Sequence, residues 1–314
     1  MKVIHDYLAM TEPAPPCALT IGSFDGVHLG HRRLLDALVN TARERNLVPA
    51  VMTLRPHPRR FFFPDDPPCL LTAPEQQEAL LREAGVERLY VLPFDEKTAG
   101  MDRHAFFQLL VNRCAARALV IGHDFRFGRN AEGNYEYLRE AAAARGIETR
   151  QVDALVIGGQ TVSSSLVREL VLTGQMEQVP RFLGRPFSLY GTVVSGKGLG
   201  SRIGYPTANV SAPHALLPAH GVYVAVAKRS SGERWASAVN IGIAPTLGGN
   251  PPTVEAYLLD FTSDLRGQQL ELFFYHRLRP EFRFPSLDAL VRAIDADVAA
   301  VRSFFREHPD LLNR

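Results

Sequence analysis

Gly22-Ser23-Phe24-Asp25-Gly26-Val27-His28-Leu29-Gly30-His31 joins an apolar run at 18–22 to a helical pattern over 32–45. The run has the composition of a buried strand, and Leu34, Leu35, Leu38, Val39 and Ala42 recur at the spacing of one helix face. Between them the chain turns through glycines and enters the helix with histidines at i and i+3. Such a turn aims backbone N–H groups, the positive end of a helix and two imidazoles at one spot, which suits a polyphosphate. Gly22, Phe24, Asp25, Gly26, His28, Gly30 and His31 are therefore candidate phosphate-site residues. A plain turn with surface histidines explains the co-occurrence of glycines, aspartate and both imidazoles less well, and a zinc pair lacks an obvious third ligand nearby.

Outward from this stretch, strand-like runs at 47–54, 89–94 and 119–122 alternate with helical patterns at 74–84, 104–117 and 135–145. Strict alternation predicts a parallel sheet wrapped by helices, with ligands at the carboxyl ends of the strands. After Leu183-Gly184-Arg185-Pro186 the period changes to two. Runs at 187–194, 221–228, 235–241, 253–261 and 270–278 predict an antiparallel barrel, and an apolar stripe over 286–307 predicts a helix that caps it. The fold class is thus α/β in the first half and a β-barrel with a C-terminal helix in the second, divided as 1–182 and 183–314. No internal repeat is visible.

A net charge of +2 excludes any strong electrostatic argument for nucleic acid or a membrane surface. Cys17, Cys69 and Cys114 form no close pair, and the start lacks a long apolar run, so a reducing cytoplasmic location is expected. The oligomeric state is not encoded in any visible pattern.

Two more segments of the first half carry polar and aromatic groups at strand or helix ends. Gly122-His123-Asp124-Phe125-Arg126-Phe127-Gly128 suits a planar ring system or a nucleotide, and Ser163-Ser164-Ser165-Leu166-Val167-Arg168 opens a helix with an arginine one turn in. In the second half, 191–198 approaches a P-loop pattern through Lys197, but Gly198 stands where a hydroxyl must bind Mg²⁺ and no helix is expected to follow. The glycines run on instead through Gly196, Gly198 and Gly200 into Tyr205-Pro206-Thr207-Ala208-Asn209, where backbone amides can approach phosphates and Thr207 and Asn209 offer hard oxygens to Mg²⁺.

Taken in order, the glycine–histidine element, Thr53-Leu54-Arg55-Pro56-His57-Pro58, the Asp-Phe-x-Phe-Gly run and Ser-Ser-x-x-x-Arg resemble the FMN adenylyltransferase module of bacterial bifunctional FAD synthetases. That resemblance implies a Rossmann-like nucleotidyltransferase domain. In it His28 and His31 would hold ATP phosphates, with Ser164, Ser165 and Arg168 on the opposite side of the triphosphate. His57, Asp124, Phe125, Arg126 and Phe127 would lie on the flavin side. Ser23, Arg55 and Ser165 depart from the usual asparagine, acidic residue and threonine.

The second half is similar to riboflavin kinases across its length, through Leu183-Gly184-Arg185-Pro186, the Pro-Thr-Ala-Asn element with Pro206, Asn240-Ile241-Gly242 with Pro245-Thr246, and 253–261. Arg202 sits one place later than the family arginine, and Tyr257 replaces a frequent histidine. A neutral ribityl hydroxyl needs a base, and Glu255 falls at the place of the family's catalytic glutamate; Arg279 matches an arginine near the flavin. The expected activity is conversion of riboflavin to FMN and of FMN to FAD, with ATP and Mg²⁺ and with neither nucleic acid nor a membrane as partner. An adenylyltransferase for another acceptor, with a barrel that only binds, is the competing enzyme; a flavin-binding regulator without turnover is the competitor from another class.

Overall fold

The computed structural model describes residues 1–5, 14–196, 198–242 and 252–313. Lys197 and Pro245-Thr246 lie outside the described residues. The chain divides into two compact units, one of Met1–Pro68 with Pro74–Ser163 and one of Cys69–Ala73 with Ser164–Arg314.

The first unit is built on a parallel sheet of six strands: β1 (Lys2–Ile4), β2 (Cys17–Ile21), β3 (Val48–Arg55), β4 (Arg88–Pro93), β5 (Ala116–Gly122) and β6 (Glu148–Val152), in the order β1-β4-β3-β2-β5-β6. Every residue of β2 is buried, as expected for a strand covered on both faces. On one side Leu34, Leu35 and Leu38 of the helix Leu29–Glu44 pack with Ala18, Val51 and Val120. Phe106, Phe107 and Leu110 of the helix Arg103–Asn112 pack with Leu19, Met52 and Leu119 on the other. Strand β3 lies on one side of β2 and β5 on the other, so the chain reverses its direction of winding between β2 and β5. A parallel sheet opens a crevice at such a point, at the carboxyl ends of both strands. The loops that leave those two ends are 22–28 and 122–128.

A short antiparallel pair follows, β7 (Val156–Ile157) with β8 (Gln160–Thr161). The second unit closes a six-stranded antiparallel barrel from β9 (Phe187–Val194), β10 (Ala208–Ser211), β11 (Gly221–Arg229), β12 (Arg234–Gly242), β13 (Thr253–Leu258) and β14 (Gln269–Pro280). Ala208–Ser211, read from the sequence as part of a loop, is the strand that seals the barrel by pairing with both β9 and β13. A one-turn helix, Leu199–Arg202, also follows the glycine run where none was expected, entered through Gly198 at φ +69°.

Alternation sorts the barrel's two faces. Tyr223 packs edge-on against Phe274, which meets Phe187, all three fully buried. Val224 and Val226, on the opposite face of β11, pack with Ala238 and with Val301 and Phe305 of the helix Leu287–Glu307. The terminal helix therefore lies along the outer wall and does not plug an end: its apolar stripe matches the outward side chains of a strand, and the interior is already filled by aromatics.

Candidate active sites

The turn after β2 is strained and firmly held. Phe24 has φ +48°, Gly26 +87° and Val27 +40°, and Phe24 and Val27 are fully buried. A bulky or β-branched residue in the left-handed region is a true outlier, and such outliers concentrate where a backbone must present itself to a ligand. Gly22 N–H donates to the Met52 carbonyl at 3.0 Å. The Ser23 carbonyl accepts from Gln77 Nε2 at 2.7 Å and from Thr53 Oγ1 at 3.3 Å. Gln77, which no sequence motif marked, in turn accepts from Arg55 at 3.0 Å, and Arg55 also pairs with Glu78. The arginine that departs from the family pattern thus has local acidic and amide partners.

His28 is the N-cap of the helix Leu29–Glu44 and is buried beside buried Asp25. Its Nδ1 accepts from the His31 N–H at 3.2 Å, so in the neutral ring the proton sits on Nε2, which is then a donor. The two imidazoles stack with centroids 3.7 Å apart, and His31 lies 5.1 Å from the Phe24 ring. A Cβ on Gly30 would stand 3.1 Å from the His28 ring, so glycine leaves room for the cap. The sequence placed these residues together, and the structure does so.

In the loop after β5, Phe127 is buried and packs against Phe106, Phe125 and Tyr137. Its backbone pairs with Gly133 in both directions. Phe127 is thus an anchor, while Asp124 and Arg126 are exposed and Phe125 is half-buried at the rim. His57 caps the helix Pro58–Phe62 by accepting from Arg59 N–H at 3.2 Å. Ser164, Ser165 and Arg168 begin the helix Ser164–Leu172, which packs within the second unit, where Arg168 Nε donates to the Cys69 carbonyl at 3.4 Å.

The second unit's polar residues meet at one level of the barrel. Asn209 on β10 pairs with Glu255 on β13, and Glu255 pairs with Asn240 on β12. Residues directly opposite in antiparallel strands project to the same face, so the three side chains form one row. Val254, Ala256 and Leu258 are buried while Thr253, Glu255 and Tyr257 are half-buried, which sets the row on the outward face. The row continues through Val222 to Arg279 on β14. Arg279 is bound by Asp297 of the terminal helix, Nε to Oδ1 at 3.0 Å and Nη2 to Oδ2 at 2.8 Å, and lies over Phe284.

The glycine-rich loop closes on this row. A Cβ on Gly196 would fall 2.0 Å from Asn209 Nδ2, and one on Gly200 would fall 2.2 Å from the Tyr205 carbonyl and 3.2 Å from Thr207 Oγ1. Both oxygen-bearing side chains of Pro206-Thr207-Ala208-Asn209 are thereby pressed against glycine backbone, with Gly198 at the loop's apex. Tyr205 meets Tyr257 edge-on at 5.3 Å and donates to Asp295, which raises the phenol's pKa. Among the described residues no cluster of three or more His, Cys, Asp or Glu side chains could hold a metal. The row itself was hidden from the sequence, because register is a property of pairing, and Asp297 was hidden inside an ordinary helical pattern.

A family model described as FAD synthetase matches residues 10–166, and one described as riboflavin kinase matches residues 183–305. The bifunctional riboflavin kinase/FMN adenylyltransferase of Escherichia coli K12 is 37% identical over 308 residues, covering 97% of this chain and 98% of that protein. The protein of the same description from Pseudomonas fluorescens is 37% identical over 289 residues, covering 91% and 92%. A crystal structure described as a macrolide-efflux protein from Streptococcus pneumoniae superposes with a TM-score of 0.81 at 26% identity, over 96% of this chain and 98% of that one. Among the described residues no helix is long and apolar enough to cross a membrane. With both halves matched in tandem and full-length relatives at this identity, the chain belongs to the bifunctional riboflavin kinase/FMN adenylyltransferase family, whose two activities consume ATP.

Proposed function

We propose that residues 1–182 adenylylate FMN and residues 183–314 phosphorylate riboflavin, each with its own ATP. In the first reaction an FMN phosphate oxygen attacks the α-phosphorus and pyrophosphate leaves. That oxygen is already anionic, so alignment and charge neutralisation suffice. At the turn that holds Gly22 and Gly26, the Nε2–H of His28 and the adjoining His31 supply donors, with Asp25 beside them, and the 122–128 loop and His57 face the flavin. In the second reaction the ribityl 5′-hydroxyl oxygen bonds to the γ-phosphorus, its proton passes to Glu255 and ADP departs. Gly196, Gly198, Gly200 and Pro206 line the phosphates. Thr207 Oγ1 at the end of the loop and Asn209 Oδ1 on β10 are hard donors two residues apart and would hold Mg²⁺, which neutralises phosphate charge when bound. Buried free thiols and the use of ATP favour the cytoplasm as the site of both reactions.

The observation that carries this division is the Asn209–Glu255 pairing: it supports a carboxylate beside the glycine-rich loop in one unit, while the histidine turn of the other needs none. Two chromatographic time courses test it, one started from riboflavin and one from FMN. Glu255→Gln should slow FMN formation by about 10²–10⁴-fold and spare FAD formation from supplied FMN. His28→Ala with His31→Ala should do the reverse, so that FMN accumulates. Equal impairment of both reactions by Glu255→Gln in a natively folded protein would replace two sites by one.

A further inference from the structure

Tyr205 closes the glycine-rich loop, immediately before Pro206 and Thr207, and is held from three sides. Its N–H donates to the Gly200 carbonyl at 2.8 Å, and its own carbonyl lies so near Gly200 that a Cβ there would stand 2.2 Å away. Its ring meets Tyr257 of β13 edge-on, with centroids 5.3 Å apart. Its hydroxyl donates to Asp295 of the terminal helix. The backbone contacts make Tyr205 move with the loop, while the side-chain contacts tie it to the barrel wall and the helix. Among the described side chains of residues 195–204 none is buried. A segment with so little packing of its own opens readily unless something outside it holds it down.

Asp295 is a firm post for that purpose. Two residues farther along the same helix, Asp297 is buried and bound at both oxygens by Arg279 of β14, and Val301 and Phe305 pack with Val224 and Val226 of β11. We propose that the Tyr205–Asp295 hydrogen bond tethers the glycine-rich loop in its phosphate-binding arrangement, so that both are positioning residues for ATP in riboflavin phosphorylation. This rests on the loop being the phosphate site of the second unit. Asp295 has two properties, an acceptor oxygen and a negative charge, and they predict opposite effects of its removal. Losing the acceptor frees the loop and weakens ATP binding; losing a carboxylate on that side of the loop would, by charge alone, favour a triphosphate.

The test is steady-state kinetics of riboflavin phosphorylation by the full chain, read as FMN plus FAD formed at varied ATP. Tyr205→Phe keeps the ring against Tyr257 and removes only the donor. Its KM for ATP should rise about 3–10-fold while kcat at saturating ATP changes less than about twofold, because a site that is closed only part of the time binds more weakly by that fraction. Asp295→Ala should give the same rise, and the double variant no more than either single one, since both remove one contact. Asp295→Asn retains an acceptor oxygen and should recover most of the affinity. KM for riboflavin, and KM for ATP in FAD formation from FMN, should stay at the parent values. Parent KM for ATP in Tyr205→Phe overturns the proposal, as do an additive double variant and a lowered KM in Asp295→Ala. A rise in KM for both kinase substrates together with a lower urea midpoint overturns it as well, by making the contact one of general stability. These failures count against the tether alone where Thr207→Val impairs the kinase; if Thr207→Val is also without effect, it is the phosphate reading of the loop that fails.

Discussion

Thr207 and Asn209 are short side chains held against glycine backbone, and at this scale a single methyl group is a decisive probe. Thr207→Val keeps volume and removes one hard donor, so riboflavin phosphorylation at limiting Mg²⁺ should fall by about two orders of magnitude while FAD formation from FMN persists; an unchanged rate would mean that Thr207 binds no cation. Gly196→Ala should act on the same reaction while leaving Thr207 and Asn209 themselves unchanged in the sequence, because its Cβ would stand 2.0 Å from the Asn209 amide and must displace it. Buried ionisable residues give a second readout. Burial pushes the Cys17 thiol up to about 12, the Tyr90 phenol up to about 12, and the Cys114 thiol above its ordinary range. In the unfolded chain such thiols ionise near pH 8.5 and phenols near pH 10, approximately. The folded state therefore holds these protons more tightly. Their contribution is complete below roughly pH 8.5 and is lost as pH rises toward the folded values. Urea midpoints should decline between about pH 8.5 and 11, less steeply in Cys17→Ala; a flat profile would contradict the burial of these groups.

Among the elements, the terminal helix Leu287–Glu307 carries a consequential polar contact, since Asp297 is buried and bound at both oxygens by Arg279. Asp297→Ala leaves a guanidinium without its partner and should cost about 3–5 kcal/mol, whereas replacing both residues by apolar ones of similar volume should cost far less. Urea unfolding of the single and double variants measures the difference. The sequence reached most elements. Runs such as 187–194 coincide with β9, and the helical stripe at 286–307 differs from the observed helix by one residue. It missed β6, none of whose residues is buried, because an edge strand of Glu148, Thr149, Arg150 and Gln151 has no apolar period to detect. It missed β10 because four residues after a proline carry too little pattern to separate a strand from a loop. It assigned the terminal helix to the barrel's end, since a stripe shows that a helix packs but not onto which surface. Glu255 was legible as a residue type at a motif position; its row with Asn209 and Asn240 depends on strand register, which one chain read alone does not contain.

At the scale of the whole molecule, the change of period near residue 183 announced two folds, but the compact units follow contacts. Helix Ser164–Leu172, the turn after it and the short helix Val179–Leu183 bring Val167, Val171, Met176, Val179 and Phe182 into the second unit, all nearly or fully buried. A hydrogen bond from Ala219 N–H to the Val171 carbonyl and the close approach of Gly174 to Arg277 and Tyr223 join that segment to the barrel. A kinase fragment of residues 164–314 should therefore melt more than about 10 °C above one of 183–314, as several buried side chains are at stake. Equal melting temperatures would show the segment to be dispensable.

The second unit also claims Cys69–Ala73, where Leu70 bridges Ala215 and exchanges hydrogen bonds with His214 and Leu216. During synthesis those partners emerge about 145 residues after Leu70, a delay of roughly 7–30 s at ordinary translation rates. Throughout that interval the nascent sheet can close around its own strands, yet this short segment has nothing to pair with, and the thiol of Cys69 remains exposed even after it does. The ribosome thus releases the loop between β3 and β4 in an unfinished form, and its completion reports that the barrel has been made.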